Sequence, residues 1–147
     1  MKRWPRVLLF VAVLAGCGSE TSTEQAINEA MDAMEAHGEA GERGDFMDYL
    51  AADFRAQGGD FDREAFRQFL LMQWNRHQRI HVQRFPADIE QTGPESARAQ
   101  FRALLTGGRG LLPDTGQVYD FDTWWALEDG EWLMVSVRWE VVRDGIL

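Results

Sequence analysis

The 147-residue sequence has a single cysteine, Cys17, so no intrachain disulfide can form and burial must carry the stability. Positive charge is scarce: 15 Lys and Arg stand against 24 Asp and Glu, a formal net charge of −9. That balance argues against nucleic acid as a partner, because such binding depends on Lys and Arg neutralising phosphates. No P-loop, G-x-G-x-x-G or G-x-S-x-G motif occurs, which removes the usual sequence grounds for a nucleotide cofactor or a serine nucleophile. His37, His77 and His81 make no metal-ligating array. His77 and His81 are four apart, but they straddle a change from helical to strand spacing and have no adjacent Glu. Neither cofactor nor metal is therefore expected. The apolar run 7–15 has 9 residues, against about 20 needed to span a bilayer. There is no internal repeat.

That short run is nonetheless informative. Lys2, Arg3 and Arg6 precede it and small residues follow it, which is the three-part build of a secretion signal. Its end, Leu14-Ala15-Gly16-Cys17, resembles the bacterial lipobox, in which a diacylglyceryl group is attached to the Cys and the signal is cut just before it. The chain's one cysteine stands where the motif requires it. The resemblance implies a signal peptide over 1–16, a lipidated Cys and short tether over 17–20, and a folded domain over 21–147. Two or three acyl chains on Cys17, palmitate among them, would anchor the protein to a membrane without embedding it. Gly18 follows the cysteine, where Asp would favour inner-membrane retention under the enterobacterial rule. The expected location is the cell envelope, at the outer membrane and facing the periplasm. Cleavage removes three positive charges and no negative one, leaving 131 residues at −12, a size at which one domain can bury a proper core.

In the mature chain, Thr21 or Ser22 can cap a helix whose stripe is Ile27, Ala30, Met31 and Met34, ending at His37-Gly38. Glu24, Asn28, Glu29, Asp32 and Glu35 form its polar face. Asp45 starts a short second helix with Phe46, Leu50 and Phe54 on one side, and Asp60 or Asp62 caps a third through about Arg76. From Ile80 the period changes towards two. A first strand through Ile80, Val82 and Ile89 is interrupted by Pro86. In the next, Ala97, Ala99, Phe101, Ala103 and Leu105 alternate with polar residues. The loop 107–116 follows, with Leu111 and Leu112. Val118–Val142 then reads as one long hairpin turning at Asp129-Gly130, since a type I′ turn needs positive φ at both central residues. In that register Leu127 faces Trp132, Trp125 faces Met134 and Trp124 faces Val135.

Gly44-Asp45-Phe46 followed by Leu50-Ala51-Ala52-Asp53-Phe54, and the terminal 128–137 segment EDGEWLMVSV, resemble the nuclear transport factor 2-like superfamily, which includes the polyketide-cyclase-like proteins. With the order of elements, the likeness covers about residues 21–142. It implies an α+β fold in which N-terminal helices pack on a curved antiparallel sheet as a cone, with a cavity at the wide end. The hairpin register assigns Trp124, Val137 and Trp139, with Asp120 and Asp122, to the helix-covered interior. Trp125 and Trp132 fall on the outer side, where relatives dimerise or accept an extra element.

Three functions fit these residues. A cone pocket bearing Asp120, Asp122, Trp124, Val137 and Trp139 would bind a small apolar ligand or a protein partner without catalysis. Alternatively, Asp120 or Asp122, with a pKa raised by apolar surroundings, would act as the general acid-base group of an isomerase or dehydratase, with His81 as partner. The plainer reading of those carboxylates is pairing with Arg102 or Arg138. A third function is a dimeric envelope assembly factor joined through Trp125 and Trp132. Arg76, His77, Arg79, His81 and Arg84 also form a basic cluster between the third helix and the first strand.

Overall fold

In the computed structural model the described residues are 22–77, 79–108 and 115–143. The signal segment, Cys17, Leu111 and Leu112 lie outside them. Helix α1, Thr23–Ala40, starts at Ser22, whose hydroxyl accepts the Gln25 amide hydrogen at 3.1 Å. It buries the expected stripe of Ile27, Ala30, Met31 and Met34. It runs past Gly38 and stops at Gly41, whose φ of 73° reverses the chain. Helix α2 covers only Arg43–Asp48. The expected continuation to Phe54 is instead strand β1, Leu50–Ala56, in which Leu50, Ala51, Phe54 and Ala56 are all buried. Pairing with the last strand overrides the helical spacing of Phe46, Leu50 and Phe54.

A 3-10 turn, Gln57–Gly59, leads to the two-residue strand β2, Phe61–Asp62. Helix α3, Arg63–Arg76, is capped by Asp62, which accepts from the Ala65 amide at 2.8 Å. Five strands complete the sheet: β3 (Arg79–Arg84), β4 (Asp88–Gly93), β5 (Ser96–Gly108), β6 (Thr115–Glu128) and β7 (Glu131–Val141). The order is β2-β1-β7-β6-β5-β3, with β4 also on β5. Pro86 separates β3 from β4, and the two share one edge of β5: β3 pairs with residues 103–108 and β4 with residues 96–100. All pairs are antiparallel except β1 with β7.

Asp129 (φ 50°) and Gly130 (φ 81°) make the turn between β6 and β7, and Leu127 faces Trp132 and Trp125 faces Met134 as expected. One step further the expected ladder fails, because Trp124 faces Ser136 rather than Val135. Val135 is the extra residue of a β-bulge. Beyond it the two strands are offset by one, so the inner face carries Met134 and then Val137, three residues apart. On β6 the inner residues are the odd ones: Trp125 is 1% exposed and Thr123 is fully buried. The assignment of Asp120, Asp122 and Trp124 to the interior is therefore corrected, and so is that of Trp125 and Trp132 to the outside. The helices cover this inner face, and Phe54, Phe66, Ile27, Met31 and Met34 join Trp125, Met134, Val137, Ala97 and Ala99 in one core.

Candidate functional site

The small side chains of β5 decide where the core is thin. Ala97 and Ala99, cross-strand partners of Trp125 and Thr123, are buried in the core, whereas Phe101, Ala103 and Leu105 face a cavity of about 630 Å³ between sheet and helices. That is a small-molecule size. One wall is sheet: Ile80 and Val82 of β3, Tyr119 and Phe121 of β6, Val137 and Trp139 of β7. The other is helix: Met31 and Met34 of α1, and Phe66, Phe69, Leu70 and Trp74 of α3. The aromatic lining is rigid because its rings hold one another. Trp139 stacks on Phe69 at 5.8 Å between centroids, Phe101 stacks on Phe121 at 5.1 Å, and Trp74 meets Phe46 edge-on at 5.8 Å while its N–H donates to the Gly38 carbonyl at 2.9 Å. His77, at the end of α3, lies over Gly107, where a Cβ would stand 2.9 Å from its Nδ1.

The floor near Thr123 contains a buried polar relay with every member satisfied. The Trp125 indole N–H donates to the Thr123 hydroxyl at 2.8 Å, and that hydroxyl donates to the Ala99 carbonyl at 2.8 Å.

A charged pair interrupts the apolar lining where α1 meets β3. Glu35 and Arg84 both face the cavity, and the Glu35 Oε2 lies 3.6 Å from the Arg84 Nε. The Arg84 side chain is only 13% exposed. It pairs with Asp32 and donates to the Asn28 side chain at 3.5 Å, while its buried Nε has no hydrogen-bond partner among the described residues. Burial pushes the Glu35 carboxyl above its ordinary value of 4.5, with Glu39 and Asp32 pushing the same way against Arg84 and His81.

The expected acid-base residues are elsewhere. Asp120, 53% exposed at its side chain, is on the outer sheet face and accepts two bonds from Arg102, at 2.7 and 2.9 Å, which hold its carboxyl below the usual range. Asp122 accepts two bonds from Arg98, at 2.8 and 2.6 Å. Trp124 is beside them on that face, with the Arg98 and Arg138 guanidinium groups 5.3 and 5.8 Å from its ring centroids. His81 points away from the cavity and pairs with Glu39 at 2.6 Å, so it reaches neither aspartate. Of the expected pocket set, Val137 and Trp139 line the cavity and Asp120, Asp122 and Trp124 do not. Trp125 is interior, and Trp132 packs against the core, so neither is free to make the expected contact surface. Metal-capable atoms converge at His37, Glu42 and Asp45, all within 4.8 Å of one another near the surface, where His37 and Glu42 already hydrogen-bond each other at 2.5 Å.

A cone of helices over a curved sheet, open at one end, is a known arrangement. The fold is nuclear transport factor 2-like. Among solved structures, a nuclear transport factor 2-like protein of unknown function from Pseudomonas putida superposes with a TM-score of 0.72 at 13% identity, covering 87% of this chain and 99% of that one. A candidate dehydratase of the nuclear transport factor 2-like family from Streptomyces avermitilis gives 0.71 at 13% identity, covering 84% and 99%. A candidate scytalone dehydratase from Novosphingobium aromaticivorans gives 0.69 at 13%, covering 83% and 87%. At such identities the likeness is one of fold. No protein-family model matches the chain, and no curated protein sequence does.

Glu35 and Arg84 are the charged residues of the cavity that the sequence pattern does not single out. Helical spacing places Glu35 on the polar face of α1, and its charge places Arg84 in the basic cluster. The signal for both was present: Glu35 is four residues after Met31 and borders the apolar stripe, and Arg84 continues the alternation of Ile80 and Val82.

Proposed function

We propose that this chain is a lipid-anchored cell-envelope protein whose cone binds a small, largely apolar ligand. The observation that carries the reading is the cavity of about 630 Å³, walled mainly by aromatic and aliphatic side chains, with the ion pair of Glu35 and Arg84 and a few polar residues such as Gln73, His77 and Gln117 among them. Rigid apolar walls with a few convergent polar groups are the usual build of a ligand site. The lipobox-like segment before Cys17 supports the anchor, and no helix among the described residues is long and apolar enough to cross a membrane. Mass spectrometry of small molecules extracted from natively expressed protein tests the binding reading. One apolar compound, stoichiometric with the protein and lost on unfolding, is expected; an empty protein across native preparations counts against it.

A second reading is favoured by one observation, the desolvated Glu35 carboxyl inside the cavity. Two neighbours of the same fold are described as candidate dehydratases, and a carboxyl with a raised pKa suits proton transfer. On this reading Glu35, in place of Asp120 or Asp122, is the acid-base group of an isomerase or dehydratase. A cyclic ketone bound in the cone would then exchange its α-protons with deuterated water, and Glu35→Gln would slow that exchange by about a hundredfold or more. Equal exchange rates in both proteins would remove the enzyme reading.

A further inference from the structure

The turn between α1 and α2 gathers a second set of chemically capable groups, outside the cavity. His37, Glu42 and Asp45 are five and three residues apart, a spacing that forms no recognised metal motif in the sequence. Gly41, at φ 73°, folds the chain back. The Glu42 amide then donates to the His37 carbonyl at 2.9 Å, and the Phe46 amide donates to the Glu42 carbonyl at 3.0 Å. These two bonds hold the three positions in one arrangement. The His37 Nδ1 and a carboxylate oxygen from each of Glu42 and Asp45 lie within 4.8 Å of one another, at the surface. The Tyr49 ring, with its centroid 6.1 Å from that of the imidazole, flanks His37.

The charges of this turn are unbalanced. Among the described residues the Asp45 carboxylate makes no hydrogen bond or ion pair, and the Glu42 carboxylate pairs with His37 alone, at 2.5 Å. Arg43, the nearest cation in the sequence, is drawn away to α3, where its guanidinium donates to Asn75 at 3.4 Å and lies 5.9 Å from the Trp74 ring centroid. Two carboxylates thus share one imidazole. They do so at the C-terminal end of an 18-residue helix, whose dipole favours a cation there, against the opposing end of a helix of only 6 residues. A hydrogen-bonded turn would need His37 and Glu42 but leaves Asp45 without a role. An imidazole with two carboxylates is a donor set that suits zinc. Tetrahedral Zn²⁺ holds neighbouring donors about 3.4 Å apart, so on binding the 2.5 Å contact opens and the wider separations close, by rotation of exposed side chains. We propose that His37, Glu42 and Asp45 bind one Zn²⁺ ion, with the fourth position left to water. The ion clips α1 to α2 at the corner that carries Gly38 and Phe46, both of which line the cavity.

The test titrates zinc chloride into the purified full chain carrying Cys17→Ala, which leaves no thiol to compete, after a chelator has stripped it of metal, and follows the heat by calorimetry. One ion per chain with a Kd below about 100 μM is expected. Mg²⁺, which prefers oxygen ligands, should bind at least about tenfold more weakly. Asp45→Asn keeps the size of the side chain and breaks no side-chain contact, so its thermal unfolding without metal should match the parent's while its affinity for Zn²⁺ falls by about tenfold or more. His37→Gln should lose at least as much. His81→Gln removes the other imidazole-carboxylate pair and should stay within about twofold of the parent. Absence of saturable one-to-one binding by the parent overturns the proposal, without recourse to any variant. So does Mg²⁺ binding as tightly as Zn²⁺, which is what a general acidic patch gives. An Asp45→Asn protein with parental affinity also overturns it and leaves His37 and Glu42 as an ordinary hydrogen-bonded turn; loss of binding in His81→Gln overturns it by placing the ion elsewhere.

Discussion

Thr123 is fully buried, yet its hydroxyl has two partners, Ala99 and Trp125. Thr123→Val keeps the shape and strands both the indole N–H and the carbonyl. Leaving a buried group unpaired costs about 1–3 kcal/mol, so chemical denaturation should show a loss of that order, with cavity binding retained. Glu35 makes the opposite kind of prediction. Its carboxyl is raised in the folded protein, so between its ordinary value of 4.5 and the folded value the native state binds more protons than the unfolded one. Stability therefore falls as pH rises through that window, and the penalty is complete above it. Glu35→Gln removes the titration: the variant should be at least as stable as the wild type at neutral pH, and the difference should vanish below the ordinary value. Thermal unfolding over a pH series checks the sign. Both residues were hard to single out in the sequence because threonine and glutamate are ordinary in a strand and on a helix; only their neighbours in space give them a role.

The terminal hairpin was the most legible element, since Asp129-Gly130 demands its turn; the caps of α1 and α3 were each narrowed to two residues, of which Ser22 and Asp62 serve, while Asp45, expected to cap α2, lies inside its first turn behind Glu42. The face of the sheet was not. Val135 is a good strand residue with nothing local to mark it as a bulge, yet that one residue sets which side of β7 meets the helices. Its effect can be tested by deletion. Without Val135 the ladder becomes regular and Thr123 still faces Val137 and Phe121 still faces Trp139, so the variant should fold and show nuclear Overhauser contacts between those pairs. Deleting Arg138 instead turns Trp139 outward, and should abolish cooperative unfolding. Strand β1 was missed for a related reason: a seven-residue run with apolar spacing of four carries no information that β7 offers it a parallel edge.

At the scale of the whole molecule, the α+β cone was legible from element order, whereas the emptiness of its interior was not, because alanines at 97, 99 and 103 serve equally in sealed and open cores. In this protein Ala97 and Ala99 are buried beside their strand partners Trp125 and Thr123, and Ala103 opens on the cavity. The anchor belongs to this scale as well. Cys17→Ala should move the protein from the membrane to the soluble fraction; unchanged fractionation would count against lipidation. The central claim, that the cone holds a ligand, is tested most directly by titrating the wild type and Val82→Trp with Nile red while following dye fluorescence. Val82 lines the cavity from β3, and the indole fills that space. Saturable binding of one dye per chain in the wild type, weakened by about tenfold or more in Val82→Trp, is the predicted result. No saturable binding to the wild type, or equal affinity in the two proteins, would contradict it.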